Sequence, residues 1–420
     1  MSKSIHIRDF NNPQYTPEMS ELIAAFDEAP PALDNDTFIQ LAGERLDVPL
    51  EYDAGLLQRA RSVIGQVLEN GPVHGIGRMT LQQNAVDGLV NTSRMNYLHN
   101  TFAEVGNTPV EKPIIVVGMP RSGTTHLLKL LAVDKSLRTL RRWQCYDPLP
   151  SRGMLEGTAV DNREEEGALK DLMSDVMVPH MRGLFDVHAG DATEEIEIMG
   201  KAYYGVAISF QGDTPQYDDD FYNHDQAEAY RYLYRFLQAM QWVQRDDGCR
   251  RWLLKTPQHM GALPALRSLF PDATTIFTHR DPASVFTSLL TLIGYVLRVM
   301  YRRPTRQQIL EKTRRMQHGF LRGLVNDIDS MNGPVEHVYF DKFMQDKHGT
   351  IERVYRAAGL AFDSTTEQRI SAELNTHTRG RHGRFVYDLE GDFGLTRDQV
   401  REEFAYYIDR FPVAIEESHQ

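Results

Sequence analysis

The densest chemical signal in the sequence is the run Gly118-Met119-Pro120-Arg121-Ser122-Gly123-Thr124-Thr125-His126, which opens into the apolar Leu127-Leu128-Lys129-Leu130-Leu131. A glycine-containing loop that turns straight into a helix aims several free backbone N–H groups, and the positive end of the helix dipole, at one point. That point suits a phosphate. Ser122, Thr124 and Thr125 add hydroxyl donors, and Arg121 adds a planar, forked cation. The plainer alternative is a tight strand-to-helix turn whose small residues serve only close packing. Gly118 and Gly123 stand at the separation of the nucleotide-binding loop G-x-x-x-x-G-K-[ST], but its lysine position holds Thr124. Thr125 could face a Mg²⁺ ion, yet no apolar strand ends in an Asp placed to complete the metal's shell. Transfer of a γ-phosphate by a kinase or hydrolase is therefore disfavoured.

Two further cations end apolar runs. Lys255 follows Trp252-Leu253-Leu254, and Arg280 follows Thr274-Thr275-Ile276-Phe277-Thr278-His279, with Ser288 eight positions beyond it. The bland readings are a solvated strand-end lysine and a helix capped by Asp281.

The elements that must position these groups read as a doubly wound α/β sheet. Pro113-Ile114-Ile115-Val116-Val117 is short, β-branched and wholly apolar, the pattern of a strand buried on both faces of a parallel sheet. The runs ending at Lys255 and at His279 repeat it, and residues 334–340 offer a fourth strand. Plausible helices follow at 124–133, 261–269 and from 283 onward. Such alternation places ligands at the carboxyl ends of the strands. Residues 17–107 differ, with helix-periodic stretches at 18–26 and 56–68 and no good β-run. The expected division is a helical N-terminal cap over residues 1–110 and an α/β domain over 111–420.

Composition narrows the class. The chain has 420 residues, 41% hydrophobic and 25% charged, with 30 Gly and 20 Pro, which excludes disordered, collagen-like and coiled-coil proteins. A formal net charge of -12 gives no general basic surface for nucleic acid, so any phosphate site must be local. The two cysteines, Cys145 and Cys249, are too few for a disulfide framework or a Cys-rich metal site, which fits a reducing cytoplasm. The N-terminal residues lack the apolar core of a signal peptide. Residues 285–300 are the most apolar stretch, but Thr287, Ser288, Thr291 and Arg298 interrupt it. It reads as a buried helix rather than a membrane span of about 20 apolar residues.

Taken together, the motifs resemble the sulfotransferases that use 3′-phosphoadenosine 5′-phosphosulfate (PAPS). Pro120-Arg121-Ser122-Gly123-Thr124-Thr125 matches the family's phosphosulfate loop P-[KR]-[ST]-G-[ST]-T at every position, in the form of its bacterial branch. The resemblance covers about residues 112–420. It implies a P-loop-like fold, a PAPS donor leaving 3′-phosphoadenosine 5′-phosphate (PAP), and no metal. It places the 5′-phosphosulfate on Arg121, Ser122, Gly123, Thr124 and Thr125, and the 3′-phosphate on Arg280 and Ser288. Lys255 would stabilise charge on the transferring group. His126 stands where many relatives put a Trp against the adenine. The glycine-spaced basic segment at 378–384 gives Arg381 or Arg384 a donor role by analogy, the alternative being a solvated charge run. Tyr387-Asp388-Leu389 and Phe393-Gly394-Leu395, which follow it, resemble the same branch. The acceptor class is a hydroxyl or amine of a small molecule, carbohydrate or lipid, and no oligomeric state is implied.

The general base departs from the family pattern. Pro257 replaces the His found two positions after the lysine in cytosolic relatives, and Gln144 lies where others carry a Glu. The remaining candidates are His188, whose unperturbed pKa near 6.5 suits proton abstraction, and Glu195 with its neighbour Glu194. His259 is a weaker choice. Thr193 or Asp191 reads as the cap of the helix that begins in this acidic stretch. A chain that had lost its base would remain as a non-catalytic 3′,5′-bisphosphate-binding module.

Overall fold

The computed structural model describes residues 4–245, 248, 251–376 and 383–417. Five strands form the central sheet: β1 (Ile114–Gly118), β2 (Leu137–Arg138), β3 (Arg251–Lys255), β4 (Thr274–His279) and β5 (Val335–Tyr339). They lie in the order β2-β3-β1-β4-β5, all parallel. The chain is therefore α/β with a parallel sheet, as its apolar runs imply. The edge strand β2 is two residues long and carries no run that would announce it.

Period-2 alternation divides the strands between two layers. Ile115, Val117, Trp252, Leu254 and Phe277 face one core, while Ile114, Val116, Leu253, Ile276 and Val338 face the other. The first core continues without a break into the N-terminal helices α2 (Asn35–Arg45), α3 (Ala54–Glu69) and α4 (Gly75–Thr101) through Phe38, Leu56, Val63 and Leu89, while α1 (Pro17–Glu28) packs Met19 and Ile23 against Ile76 of α4 in a small cluster of its own. The second is closed by Leu127, Leu128, Leu130 and Leu131 of α5 (Thr124–Leu131). Residues 257–261 form a 3-10 turn rather than the start of a helix: Pro257 enters it and Thr256 Oγ1 accepts from the Gln258 N–H. The regular helix begins only at Leu263.

The apolar stretch at 285–300 forms most of helix α7 (Pro282–Leu297), buried along most of its length. No helix among the described residues is long and apolar enough to cross a membrane. Asp281 caps α7 by accepting from the Ala283 N–H at 3.0 Å.

The N-terminal helices also fix the short helix α6 (Ile196–Lys201). Lys201 Nζ lies 3.0 Å from Asp87 of α4, and Asp87 also takes Arg45 of α2 at 2.7 Å. Burial alone would raise the Asp87 carboxyl, but Lys201 and Arg45 beside it hold it below its usual value. Its stabilising contribution is therefore present at neutral pH and is lost as pH falls through the carboxylate range. Asp87→Asn should lower unfolding free energy by about 1–3 kcal/mol in urea titrations at pH 7. It should also flatten the acid-side loss of stability seen in the wild type.

Candidate active site

Parallel register brings three distant motifs to one edge of the sheet. Val116 pairs with Lys255 and Gly118 with Thr278, so the 119–123 loop, the Lys255 side chain and Arg280 all leave at the carboxyl ends of β1, β3 and β4. The loop demands glycine twice. A Cβ on Gly118 would stand 1.9 Å from Thr278 Oγ1, and Gly123, with φ of 91°, is the left-handed N-cap of α5. Arg121 itself has φ of 72°, a conformation that costs energy for a residue with a Cβ and persists where the surroundings impose it.

The two phosphate motifs touch through side chains. Arg121 Nε donates to Ser288 Oγ at 3.0 Å, and Arg280 Nη1 donates to the Arg121 carbonyl at 2.6 Å. Arg280 also lies 3.9 Å from the Phe340 ring centre, which orients its guanidinium. Lys255 is 2% exposed, and its Nζ reaches Thr125 Oγ1 at 3.4 Å on the first turn of α5. Thr124 is buried on the same turn, and His126, the third residue of α5, has its ring centre 5.4 Å from that of Phe343.

Ser122 differs from its expected role. Its hydroxyl donates to Met119 O at 2.6 Å and lies 2.7 Å from Thr278 Oγ1, while its N–H also bonds Met119 O. It locks the loop onto β4 instead of offering donors to a ligand.

The carboxylates sort themselves by burial. Glu195 is fully buried, with Oε2 accepting from the Lys255 N–H at 2.8 Å and Oε1 lying 2.7 Å from His259 Nε2. His259 Nδ1 in turn lies 2.6 Å from the Tyr230 hydroxyl. With both oxygens engaged inside the protein, Glu195 cannot meet an acceptor, and its expected role as base is corrected to that of a buried anchor for β3. The adjacent Glu194 turns the other way. Its carboxylate pairs with Lys255 Nζ at 3.1 Å, its side chain is 15% exposed, and burial raises its pKa despite the neighbouring lysine.

His188 is half exposed, 51% by side chain, with Nδ1 2.6 Å from Arg182 Nη1 and Nε2 3.8 Å from Asp186. Its described partners are these, not Lys255. Thr193 does not cap α6. It belongs to a two-residue strand, Ala192–Thr193, antiparallel to Leu140–Arg141, and Glu195 takes the N-cap position. Gln144 is a capping residue, its Oε1 accepting from the Arg141 N–H at 2.8 Å.

Two residues enter the site that sequence reasoning left without a role there. Ser288 Oγ donates to the Tyr387 hydroxyl at 2.9 Å, and Glu416 grips Arg280 with both oxygens, Nε to Oε1 at 2.7 Å and Nη2 to Oε2 at 2.8 Å. Arg384 is exposed in a two-residue strand that pairs with Ser4–Ile5, and Arg381 lies outside the described residues.

The chain that carries this arrangement is similar in sequence and fold to proteins of known kind. The Omega-hydroxy-beta-dihydromenaquinone-9 sulfotransferase Stf3 of Mycobacterium bovis, like that of Mycobacterium tuberculosis, is 23% identical over 321 residues, covering 72% of this chain and 75% of its own. The crystal structure of sulfotransferase STF9 from Mycobacterium avium matches 92% of this chain and 100% of its own with a TM-score of 0.77 at 26% identity. Sulfotransferase STF1 from Mycobacterium tuberculosis shares the fold at a TM-score of 0.72 and 22% identity, over 89% of this chain and 98% of its own. The sulfotransferase family model matches residues 113–364, from the start of β1 through Lys255, Arg280 and Ser288 and past β5. That span exceeds half of the sequence and holds most of the groups gathered at the sheet edge, and by it the chain belongs to the sulfotransferase family.

Proposed function

We propose that the chain moves the sulfuryl group of PAPS to a hydroxyl of a small-molecule or lipid acceptor, releasing PAP. The observation that carries this reading is the meeting of Arg121, Lys255, Arg280 and Ser288 at one sheet edge, although Arg121 and Ser288 lie 167 residues apart. The donor set fits the group: two guanidiniums and the N-terminus of α5 suit two anionic ends, and a carboxylate, that of Glu416, already lies on Arg280. When bound, PAPS supplies a sulfuryl group activated by its phosphate leaving group.

Around it the chain's own residues bind, orient and exclude water. Arg121 and the amides at the start of α5 would hold the phosphosulfate, and Arg280 and Ser288 the 3′-phosphate. Lys255, buried and 3.4 Å from Thr125, would stabilise the charge that develops on the transferring group. Glu194, 3.1 Å from Lys255 Nζ and with its side chain 15% exposed, would take the acceptor proton. A lipid alcohol is supported as acceptor by the menaquinone derivative named for the Stf3 relatives.

The test is a binding panel of PAP, AMP, ADP and ATP-Mg²⁺ by thermal shift and calorimetry, with sulfate transfer measured alongside. PAP should bind far more tightly than AMP, and Arg280→Ala should erase most of that preference, about 1.5–3 kcal/mol for a charge-assisted contact. Equal affinity for PAP and AMP in the wild type rejects the 3′-phosphate assignment. Stabilisation by ATP-Mg²⁺ above that by PAP would support a kinase instead. PAP binding without turnover on any alcohol would leave a non-catalytic module.

A further inference from the structure

Arg280 is held by the protein itself on its forked side. Its Nε and Nη2 are spent on the Glu416 carboxylate and its Nη1 donates to the Arg121 carbonyl, so the Nε/Nη2 fork is closed to a phosphate while Glu416 stays in place. The fork-to-carboxylate geometry is the one a phosphate would adopt on the same two nitrogens. Ser288 is occupied in parallel, accepting from Arg121 and donating to Tyr387.

The Glu416 backbone, by contrast, is held elsewhere. Its N–H donates to Asp281 Oδ2 at 3.0 Å, and its carbonyl accepts from Arg401 at 2.7 Å and from Arg397 at 3.1 Å. Asp281 is fully buried and binds both of those arginines. The segment is thus riveted to α7, while the Glu416 side chain, 28% exposed, has an open side toward solvent. Rotation about the side-chain bonds alone frees Arg280, with no need to unzip the segment.

We propose that Glu416 is a further residue of the donor site: an internal carboxylate that fills the 3′-phosphate position between turnovers, yields it to the donor, and returns to help expel PAP. This rests on the reading of Arg280 and Ser288 as the 3′-phosphate grip. A 3′-phosphate outcompetes the tethered carboxylate because it brings greater charge to the same fork. A nucleotide with a free 3′-hydroxyl gains nothing by displacing Glu416 and leaves the pair closed. Glu416 therefore lowers affinity for 3′-phosphorylated nucleotides selectively and shortens the lifetime of the product complex.

The experiment compares wild type, Glu416→Gln and Glu416→Ala of the full chain by calorimetry with PAP and with AMP, and by stopped-flow release of PAP. Both variants should bind PAP about tenfold more tightly and release it correspondingly more slowly. AMP affinity should stay within about twofold, which also certifies that the variants are folded. If PAP is preferred over AMP in all three proteins but its affinity is unchanged or weaker in the variants, Glu416 is only a support for Arg280 and the proposal is overturned while the donor reading stands. If no protein of the three distinguishes PAP from AMP, the 3′-phosphate reading itself fails.

Discussion

Lys255→Ala should cut kcat by about 10²–10³ while leaving PAP affinity within a few-fold of wild type. In the proposed function the lysine is the cation at the transfer point; in the structure it is 2% exposed, bonded to Thr125 at the start of α5 and paired with Glu194. In so dry a setting a charge aimed at the bridging oxygen is worth most when negative charge grows there, which is in the transition state rather than in the bound donor. In the same reading the ground-state phosphates fall to Arg121 and Arg280. The substitution carries a second signature. Lys255 pulls the Glu194 pKa down against the larger effect of burial, so its loss should push that carboxyl higher still and move the acid limb of kcat/KM to higher pH. A variant whose sole defect is weaker PAP binding, with kcat and the acid limb unmoved, would reduce Lys255 to an anchor.

How much of this was readable beforehand follows from the range of the forces involved. Strands β1 and β3 announce themselves by the short apolar runs 114–117 and 252–254 and β4 by Ile276 and Phe277 behind two β-branched threonines, whereas β5, with Glu336 and His337 in a half-buried strand, shows only through its β-forming residues. Strand β2 pairs through only Leu137 and Arg138, too short a run for any pattern. The loop motif is legible because Gly118 and Gly123 answer to local backbone geometry.

The division of labour between Glu194 and Glu195 is not local. Adjacent carboxylates look alike in a sequence, and which one turns inward is decided by His259 and the Lys255 N–H, some 60 residues away. Glu416 and Tyr387 were invisible as site residues for the same reason, since Glu416 meets Arg280 across 136 positions and Tyr387 meets Ser288 across 99. Thr193 shows the opposite error. A plausible local cap gave way to a tertiary strand pairing with Leu140.

The sharpest consequence of that division concerns the base. Glu194→Gln should lower kcat by about 10²–10⁴ with PAP binding intact, because it removes the carboxylate that, among the described residues, pairs with Lys255 and keeps an exposed side, while preserving shape and the ability to accept from Lys255. The wild-type acid limb should lie above the ordinary carboxylate range, since burial raises the Glu194 pKa and the base works only when ionised. The same shift fixes the sign for stability. A carboxyl raised in the folded state contributes fully at pH below its unfolded pKa and loses that contribution as pH rises through the folded value, so ionised Glu194 costs folding free energy at neutral pH. Glu194→Gln should therefore be no less stable than wild type at pH 8 in denaturant titrations, and its stability should vary less with pH. His188→Asn should turn over normally, its imidazole being half exposed against Arg182. Glu195→Gln should lose stability, because it disturbs the buried bonds to His259 and the Lys255 backbone. Normal turnover in Glu194→Gln together with collapse of activity, but not of PAP binding, in His188→Asn would return the role of base to the histidine.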